Sequence, residues 1–202
     1  MNIPANMGAV ILAAGSSSRL GHPKQLVKNK GKSLLQHTID CIDKFEFNPS
    51  IVVLGANRNE ILADINRHSS SVFINSDWSE GIASSIRFGL KKSLELNPSM
   101  KQILYLLSDQ PYISSDVIQN IIDRHTTGSQ IITASTYNNN IGVPAIFDES
   151  LFPKLLTLKG DTGAKKIMMQ HRNNVQTFPF DDGAFDVDTE DDVEKLSTIN
   201  QQ

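Results

Sequence analysis

Apolar runs and helical periods alternate along this chain, and that alternation limits the fold more than any single residue. Strand-like runs fall at Ala9–Leu12, Ile51–Leu54, Val72–Asn75, Gln102–Leu107, Gln130–Ser135, Val143–Phe147 and Val175–Phe178. Helical periodicity occupies Ser33–Phe45, Asn59–His68, Ile82–Leu96 and Ser115–His125. Strands separated by helices need right-handed crossovers, which build a largely parallel sheet. The unbroken run Ile103-Leu-Tyr-Leu-Leu107 suits a central strand covered on both faces. After residue 130 the pattern changes. Tyr137-Asn-Asn-Asn-Ile-Gly142 reads as a turn between neighbouring strands, so one antiparallel excursion is expected. The expected fold is a single α/β domain over residues 1–202, a Rossmann-like three-layer sandwich with a mostly parallel, mixed sheet. Ligands in such sheets bind beyond the carboxyl ends of the strands. The loops after Leu12, Asn75 and Leu107 should therefore gather on one edge.

Composition narrows the partners. The net charge is −3, which disfavours a nucleic-acid partner, since that would need a basic face. No apolar run is long enough to span a bilayer, so no membrane partner is expected. The start Met1-Asn-Ile-Pro-Ala-Asn-Met lacks the basic region and apolar stretch of a secretory leader. Cys41 is the only cysteine and sits on the apolar side of a helical period, which reads as a small core residue in a cytoplasmic protein.

The first strand runs into Leu12-Ala-Ala-Gly15-Ser-Ser-Ser-Arg19-Leu-Gly21-His-Pro-Lys24. A small-residue turn lets backbone N–H groups approach an anion closely, and Arg19 and Lys24 add positive charge. That combination suits a polyphosphate. It is not a Walker A loop: Gly31-Lys32-Ser33 has Leu26 five positions before Gly31. A G-x-G-x-x-G dinucleotide pattern is absent as well. Ser16, Ser17 and Ser18 have no paired base in sequence and read as hydrogen-bond donors. His22 reads as a solvated loop residue.

Asp109, in Leu106-Leu-Ser-Asp109-Gln-Pro111, lies at the end of a buried strand, where a carboxylate is a natural ligand for Mg²⁺. Turn capping would explain the same residue. In Phe185-Asp-Val-Asp188-Thr-Glu-Asp-Asp192, Thr189 and the acids after it have helix N-terminal chemistry, whereas Asp188 stands before the helix. Trp78 reads as packing at a surface edge. The histidines show no metal spacing, and one cysteine builds no zinc site.

These segments together resemble the molybdenum cofactor cytidylyltransferase-like group of the MobA-like nucleotidyltransferase superfamily. Its loop signature L-A-[AG]-G-x-S-x-R-x-G-x-x-K is filled at Leu12, Ala13, Ala14, Gly15, Ser17, Arg19, Gly21 and Lys24. The resemblance covers residues 8 to about 195. It implies that CMP passes from CTP to the phosphate of molybdopterin with release of pyrophosphate, and that a molybdoenzyme receives the product. Leu12, Ala13, Ala14, Gly15, Ser16, Ser17, Arg19, Lys24 and Asp109 would bind the nucleotide, with Lys24, Arg19 and Asp109 catalytic. Asp109 and Asp188 would hold Mg²⁺. The segment Glu80-Gly81-Ile-Ala-Ser-Ser85 resembles the base-reading turn, which implies nucleotide contacts at Gly81 and Ser85. Gly142, Pro144, Gly160, Asp161 and Lys165 match positions beside the second substrate. Lys165 stands where the group has arginine, and so loses a planar fork. Asp161 or Thr162 would also serve as a helix N-cap.

Other functions remain open from the sequence. One is a sugar- or alditol-phosphate nucleotidyltransferase on the same scaffold. Another is a non-catalytic factor that holds the molybdenum cofactor. A third is a glycosyltransferase using Asp186-Val-Asp188 as a metal clamp. Pyrophosphate release separates the first from the second.

Overall fold

The computed structural model describes residues 3–199; residues 1–2, part of the segment inspected for a leader, and residues 200–202 lie outside the description. In chain order the strands are β1 (Met7–Ala13), β2 (Lys28–Asn29), β3 (Lys32–Ser33), β4 (Ser50–Leu54), β5 (Ser71–Ile74), β6 (Gln102–Leu107), β7 (Ile132–Tyr137), β8 (Asn140–Asp148) and β9 (Val175–Pro179). The helices are α1 (Leu34–Ile42), α2 (Arg58–Asp64), α3 (Ile82–Leu96), α4 (Ser115–Thr127), α5 (Phe152–Leu155), α6 (Lys165–Gln170) and α7 (Glu190–Ile199).

Seven strands form one sheet in the order β5-β4-β1-β6-β8-β7-β9. All its neighbours pair in parallel except β8, which runs antiparallel to both β6 and β7. The fold is thus a single-domain α/β sandwich with a mostly parallel, mixed sheet. Alternation along each strand divides the core. Val10, Leu12, Ile103 and Tyr105 face α3, α5 and α6. Ala9, Ile11, Leu104 and Leu106 face α1, α2 and α4. A smaller cluster of Leu20, Val27, Leu34, Val187 and Leu196 anchors α7 against the loop after β1. No helix among the described residues is long and apolar enough to cross a membrane.

The expected hairpin is present, but tighter than the sequence suggests. β8 starts at Asn140, not Val143, and only Asn138 and Asn139 turn the chain, both with left-handed φ. Two turn residues of positive φ match the twist of paired strands. The register shifts between Ala134 and Ser135, so Val143 and Pro144 lie in an irregularity of the ladder. That accommodates a proline, which has no N–H to donate, inside a strand. The Ser135 hydroxyl donates to the Pro144 carbonyl at 2.9 Å.

The second helix is shorter than its periodicity. It ends at Asp64 because Ile65 is extended, and the Asn66 N–H donates to Gln36 Oε1 at 2.6 Å.

Candidate active site

The loop after β1 is shaped from inside by Gln25, a polar residue with almost no solvent exposure. Its Nε2 donates to Ala13 O at 2.9 Å and to Gly15 O at 3.2 Å. Its Oε1 accepts from the Ser17 hydroxyl at 3.4 Å, and Ser17 Oγ accepts the Lys24 N–H at 3.0 Å. Ser17 has φ 55, so this knot holds the backbone in a left-handed turn.

Above the loop lies a cavity of about 370 Å³. Its lining draws on Leu12, Ala13, Ala14, Gly15 and Ser16 of the loop, on Lys24, Ser108 and Asp109, and on Gly81, Ser85, Trp78 and Asp161. Ser17, Arg19, Asp188, Gly142, Pro144, Gly160 and Lys165 do not line it. Ser17 is turned into the loop. Asp188 reaches Lys24 from outside the lining, and Arg19 bonds Asp188 in turn.

Three distant segments meet at Lys24. Its ammonium contacts Asp109 Oδ2 and, at 2.8 Å, Asp188 Oδ1. Arg19 Nη2 contacts Asp188 Oδ2 at 2.7 Å. The Val187 N–H donates to Asp109 O at 3.0 Å, which brings the closing segment onto the end of β6. Asp192 holds that segment in turn, accepting from the N–H of Thr189 at 3.0 Å and its hydroxyl at 2.7 Å. This is a capping box built with aspartate. Burial presses the Lys24 pKa down, but Asp109 and Asp188 outweigh it and hold the ammonium above its ordinary value. Burial likewise raises Asp188, yet Lys24 and Arg19 hold its carboxyl below the usual range. Asp186 differs: burial, then the charge of Asp109, pushes its pKa up to about 7.

A divalent cation fits these acids. Two carboxylates already converge on one ammonium, and Asp109 Oδ1 is buried without a hydrogen-bond partner. Such orphaned acceptors call for a cation or water. Among the described residues no group of three His, Cys, Asp or Glu is arranged as a metal cluster. Phosphate oxygens and waters would complete the shell, as Mg²⁺ prefers.

The turn at Gly81 is fixed by close approach. Its φ is +116, and a Cβ there would lie 2.4 Å from Asp161 Oδ1 and 2.5 Å from the Gly160 backbone. The Gly160 carbonyl accepts the Ala83 N–H at 3.1 Å, so one of the first amides of α3 is satisfied within the protein and is not offered to a ligand. Neither Asp161 nor Thr162 caps a helix: α6 starts at Lys165 after Ala164 with no side-chain cap. Asn75, also buried, donates to Ser84 Oγ at 2.9 Å and Ser85 Oγ at 3.1 Å. Accepting from Asn75 leaves the Ser85 hydroxyl its own proton to donate.

A second, apolar cavity of about 320 Å³ adjoins the first through Leu12, Ile82 and Leu107. Gly142 and Lys165 lie in its wall with Ile86, Ile141, Val143 and Met168. Gly142 is seated under Tyr137, whose hydroxyl would lie 2.0 Å from a Cβ there. Pro144 stays behind this wall in the strand irregularity. Gln110 ties the wall to the acids, donating to Val143 O at 3.3 Å and Gly183 O at 3.0 Å.

Sequence reasoning missed Gln25, Asn75, Gln110 and Tyr137, read Asp186 only as half of a possible metal clamp, and set Trp78 outside the site. Gln25 and Gln110 directly follow Lys24 and Asp109, an adjacency that could have drawn attention to them.

Residues 9–175 match the family model for the MobA-like NTP transferase domain. The chain is 30% identical over 170 residues to nicotine blue oxidoreductase of Paenarthrobacter nicotinovorans, covering 80% of each protein. The crystal structure of Rv0371c from Mycobacterium tuberculosis H37Rv superposes with a TM-score of 0.81 at 30% identity, over 95% of this chain and 97% of that one. Its complex with manganese gives 0.79 at 28% identity, over 95% and 98%.

Proposed function

Because this chain belongs to the MobA-like NTP transferase family, we propose that it is a nucleotidyltransferase that moves a nucleoside monophosphate onto a phosphorylated acceptor and releases pyrophosphate. One observation carries the reading: Lys24 and Asp109 are in contact in the lining of a cavity that the small-residue loop also borders, with Asp188 against the same ammonium. The acceptor phosphate is already a nucleophile and needs little help from a base. What remains is positioning and charge neutralisation along an in-line path. The amides of residues 13–16 approach the triphosphate, and Lys24 and Arg19 offset charge gathering on the departing pyrophosphate. Asp109 and Asp188 would hold a divalent cation, which supplies neutralisation at the α-phosphate. A manganese complex of the Mycobacterium tuberculosis relative supports a divalent cation, and Mg²⁺ is our choice. The Ser85 hydroxyl and the backbone at Gly81 face the base.

Within this class we infer CTP as donor and molybdopterin as acceptor, with a molybdoenzyme taking up the product. The support is the sequence resemblance, above all Asp109-Gln110-Pro111 and Gly160-Asp161. A sugar- or alditol-phosphate acceptor is the competing reading. The Paenarthrobacter relative is named an oxidoreductase, so hydride transfer needs its own control.

The test is pyrophosphate release with each nucleoside triphosphate, Mg²⁺ or Mn²⁺ and molybdopterin, run beside NADH and NADPH oxidation. Pyrophosphate formed with CTP and molybdopterin supports the reading. Preference for GTP overturns the base choice. Oxidation of a nicotinamide cofactor without pyrophosphate overturns the transferase reading.

A further inference from the structure

A third cavity, of about 370 Å³, is bordered by α5, by the turn after it and by α6. Its charged lining is Lys154, Lys159 and Lys166, and no carboxylate joins them. None of the three makes an ion pair among the described residues, whereas Lys24, Lys28, Lys32, Lys92, Lys101 and Lys195 all meet an acid. The chain as a whole carries a net charge of −3, so a concavity with cations alone runs against its average. A cleft lined by one sign of charge concentrates its field on a counter-ion. Lys154 leans on an imidazole in place of an acid. His171 Nδ1 lies 2.9 Å from the Ile167 carbonyl, which only accepts, so Nδ1 carries the hydrogen and donates. Nε2 then offers its lone pair to the Lys154 ammonium. A neutral ring orients that cation without cancelling it. Gln170, one turn after Lys166 on α6, and Thr162 add neutral donors to the lining. Three ammonium groups suit an anion of more than one charge, and lysine meets phosphate oxygens as a point charge.

The same segment reaches the first cavity. Arg87 Nη1 donates to Leu158 O at 2.5 Å, and the guanidinium grips Glu80 with contacts of 2.9 and 2.6 Å. Glu80 Oε1 accepts the Gly160 N–H at 3.3 Å, and the Gly160 carbonyl accepts from Ala83. Lys159 and Thr162 line the basic cavity, while Asp161 between them lines the first. Arg87, then the Gly160 N–H, hold the Glu80 carboxyl below its usual range, and Lys159 adds its charge.

We propose that the cavity between α5 and α6 is a regulatory site for a soluble polyphosphate-type anion, and that its occupation weakens nucleotide binding. The site stands on its lysines alone; its effect on nucleotide rests on the nucleotidyl-transfer reading. An anion on Lys159 cancels a cation that acts on Glu80, and adds negative charge to the segment that carries Asp161 into the first cavity. Both changes disfavour a triphosphate there. Pyrophosphate, the leaving group of the proposed reaction, belongs to this class of anion, so product would damp the next round of binding.

Calorimetric titration of the full chain with pyrophosphate, without divalent metal, tests the site. Lys154 and Lys166 are exposed, so Lys154→Gln/Lys166→Gln should keep the fold. That double variant should weaken pyrophosphate binding about tenfold or more, the worth of charged hydrogen bonds. Lys44→Gln/Lys91→Gln removes as much charge from other exposed positions and should change it less than about twofold. Equal weakening by the two pairs shows general charge attraction and overturns the site, and so does binding that Lys154→Gln/Lys166→Gln leaves intact. Pelleting with phosphatidylserine vesicles that needs Lys154 and Lys166, in a protein that ignores pyrophosphate, replaces the soluble anion with a membrane surface and overturns the proposal. Coupling is read from CTP and Mg²⁺ binding with and without pyrophosphate. Direct competition at the first cavity acts on wild type and variant alike. Pyrophosphate should therefore weaken CTP about fivefold more in the wild type than in Lys154→Gln/Lys166→Gln. An equal effect in both overturns the regulation. Lysine-dependent pyrophosphate binding in a protein that binds no nucleoside triphosphate supports the anion site and overturns the nucleotide reading.

Discussion

Gln25→Met is the sharpest perturbation of the loop after β1, because it removes hydrogen bonds and little volume. Gln25 is 1% exposed and gives both side-chain hydrogens to the carbonyls of Ala13 and Gly15. Methionine fills similar space and donates nothing. A buried carbonyl left without a partner costs about 1–3 kcal/mol. The Ala13 bond is fully buried and the Gly15 bond partly so, so Gly15 recovers part of its loss from water. The sum is roughly 2–3 kcal/mol. For a chain of this size each kcal/mol lowers Tm by about 2–4 °C, so a fall of roughly 4–12 °C is expected. The loop should suffer more than the core, because Ser17 also loses its tie to Oε1. CTP binding with Mg²⁺ should weaken about tenfold or more, since the amides that approach the phosphates are no longer held in place. Urea unfolding, differential scanning fluorimetry and calorimetric titration measure the three quantities. A Tm within about 2 °C of wild type, a shift smaller than about 1 kcal/mol would give, refutes the claim that Gln25 satisfies those carbonyls. A large fall in Tm with unchanged CTP affinity refutes the claim that it shapes the phosphate site.

Asp109→Ala and Asp188→Ala should each lower turnover by about 10²-fold or more while circular dichroism keeps the native spectrum, and the double variant should be little worse than either; near wild-type rates at saturating Mg²⁺ would sink the paired role. Lys24→Met should raise Mn²⁺ affinity of the nucleotide-free protein about tenfold, read by electron paramagnetic resonance, because the competing ammonium is gone; an equal or lower affinity counts against competition. His125 is buried, which lowers its pKa below 6.5, and its Nδ1 is paired with Thr133 Oγ1 at 2.8 Å. A depressed histidine contributes stability above its unfolded pKa and loses it as pH falls through the folded value. The unfolding free energy of the wild type relative to His125→Gln should therefore fall below about pH 6.5, although Asp186, held protonated in the folded state, works the other way in both proteins; a difference that does not change with pH would place the effect elsewhere.

The large sheet was legible because its strands are apolar runs of ordinary length bounded by turns. β2 and β3 were not, since two residues each carry no period, and their pairing depends on the left-handed Lys30 and Gly31 between them. α5 and α6 are four and six residues long, too short for periodicity to announce. The loop after β1 stood out as a candidate phosphate site because its small residues and cations lie close together in the chain. The cluster around Lys24 stood out less: Asp188 is 164 positions away, and it arrives through backbone pairing at Val187 that no local pattern encodes. Gln25 and Asn75 escaped notice because polar residues are read as solvent-facing, and here they turn inward to hold backbone and hydroxyl groups. Trp78 was misplaced for a similar reason. Its half-buried ring lines the cavity, yet a lone tryptophan in a loop gives no sign of which side it covers.

Lys24 gives the resting protein its own counter-ion. Two carboxylates held this close would repel, and a tethered ammonium between them keeps the acidic end of the sheet assembled while no substrate is bound. A lysine is flexible and can be drawn elsewhere, and a triphosphate over the loop is the stronger lure. On the nucleotidyl-transfer reading, a side chain that followed the phosphates would uncover two anions just as a cation is needed. Nucleotide and cation would then load together. A cell's free magnesium alone would find the place already taken.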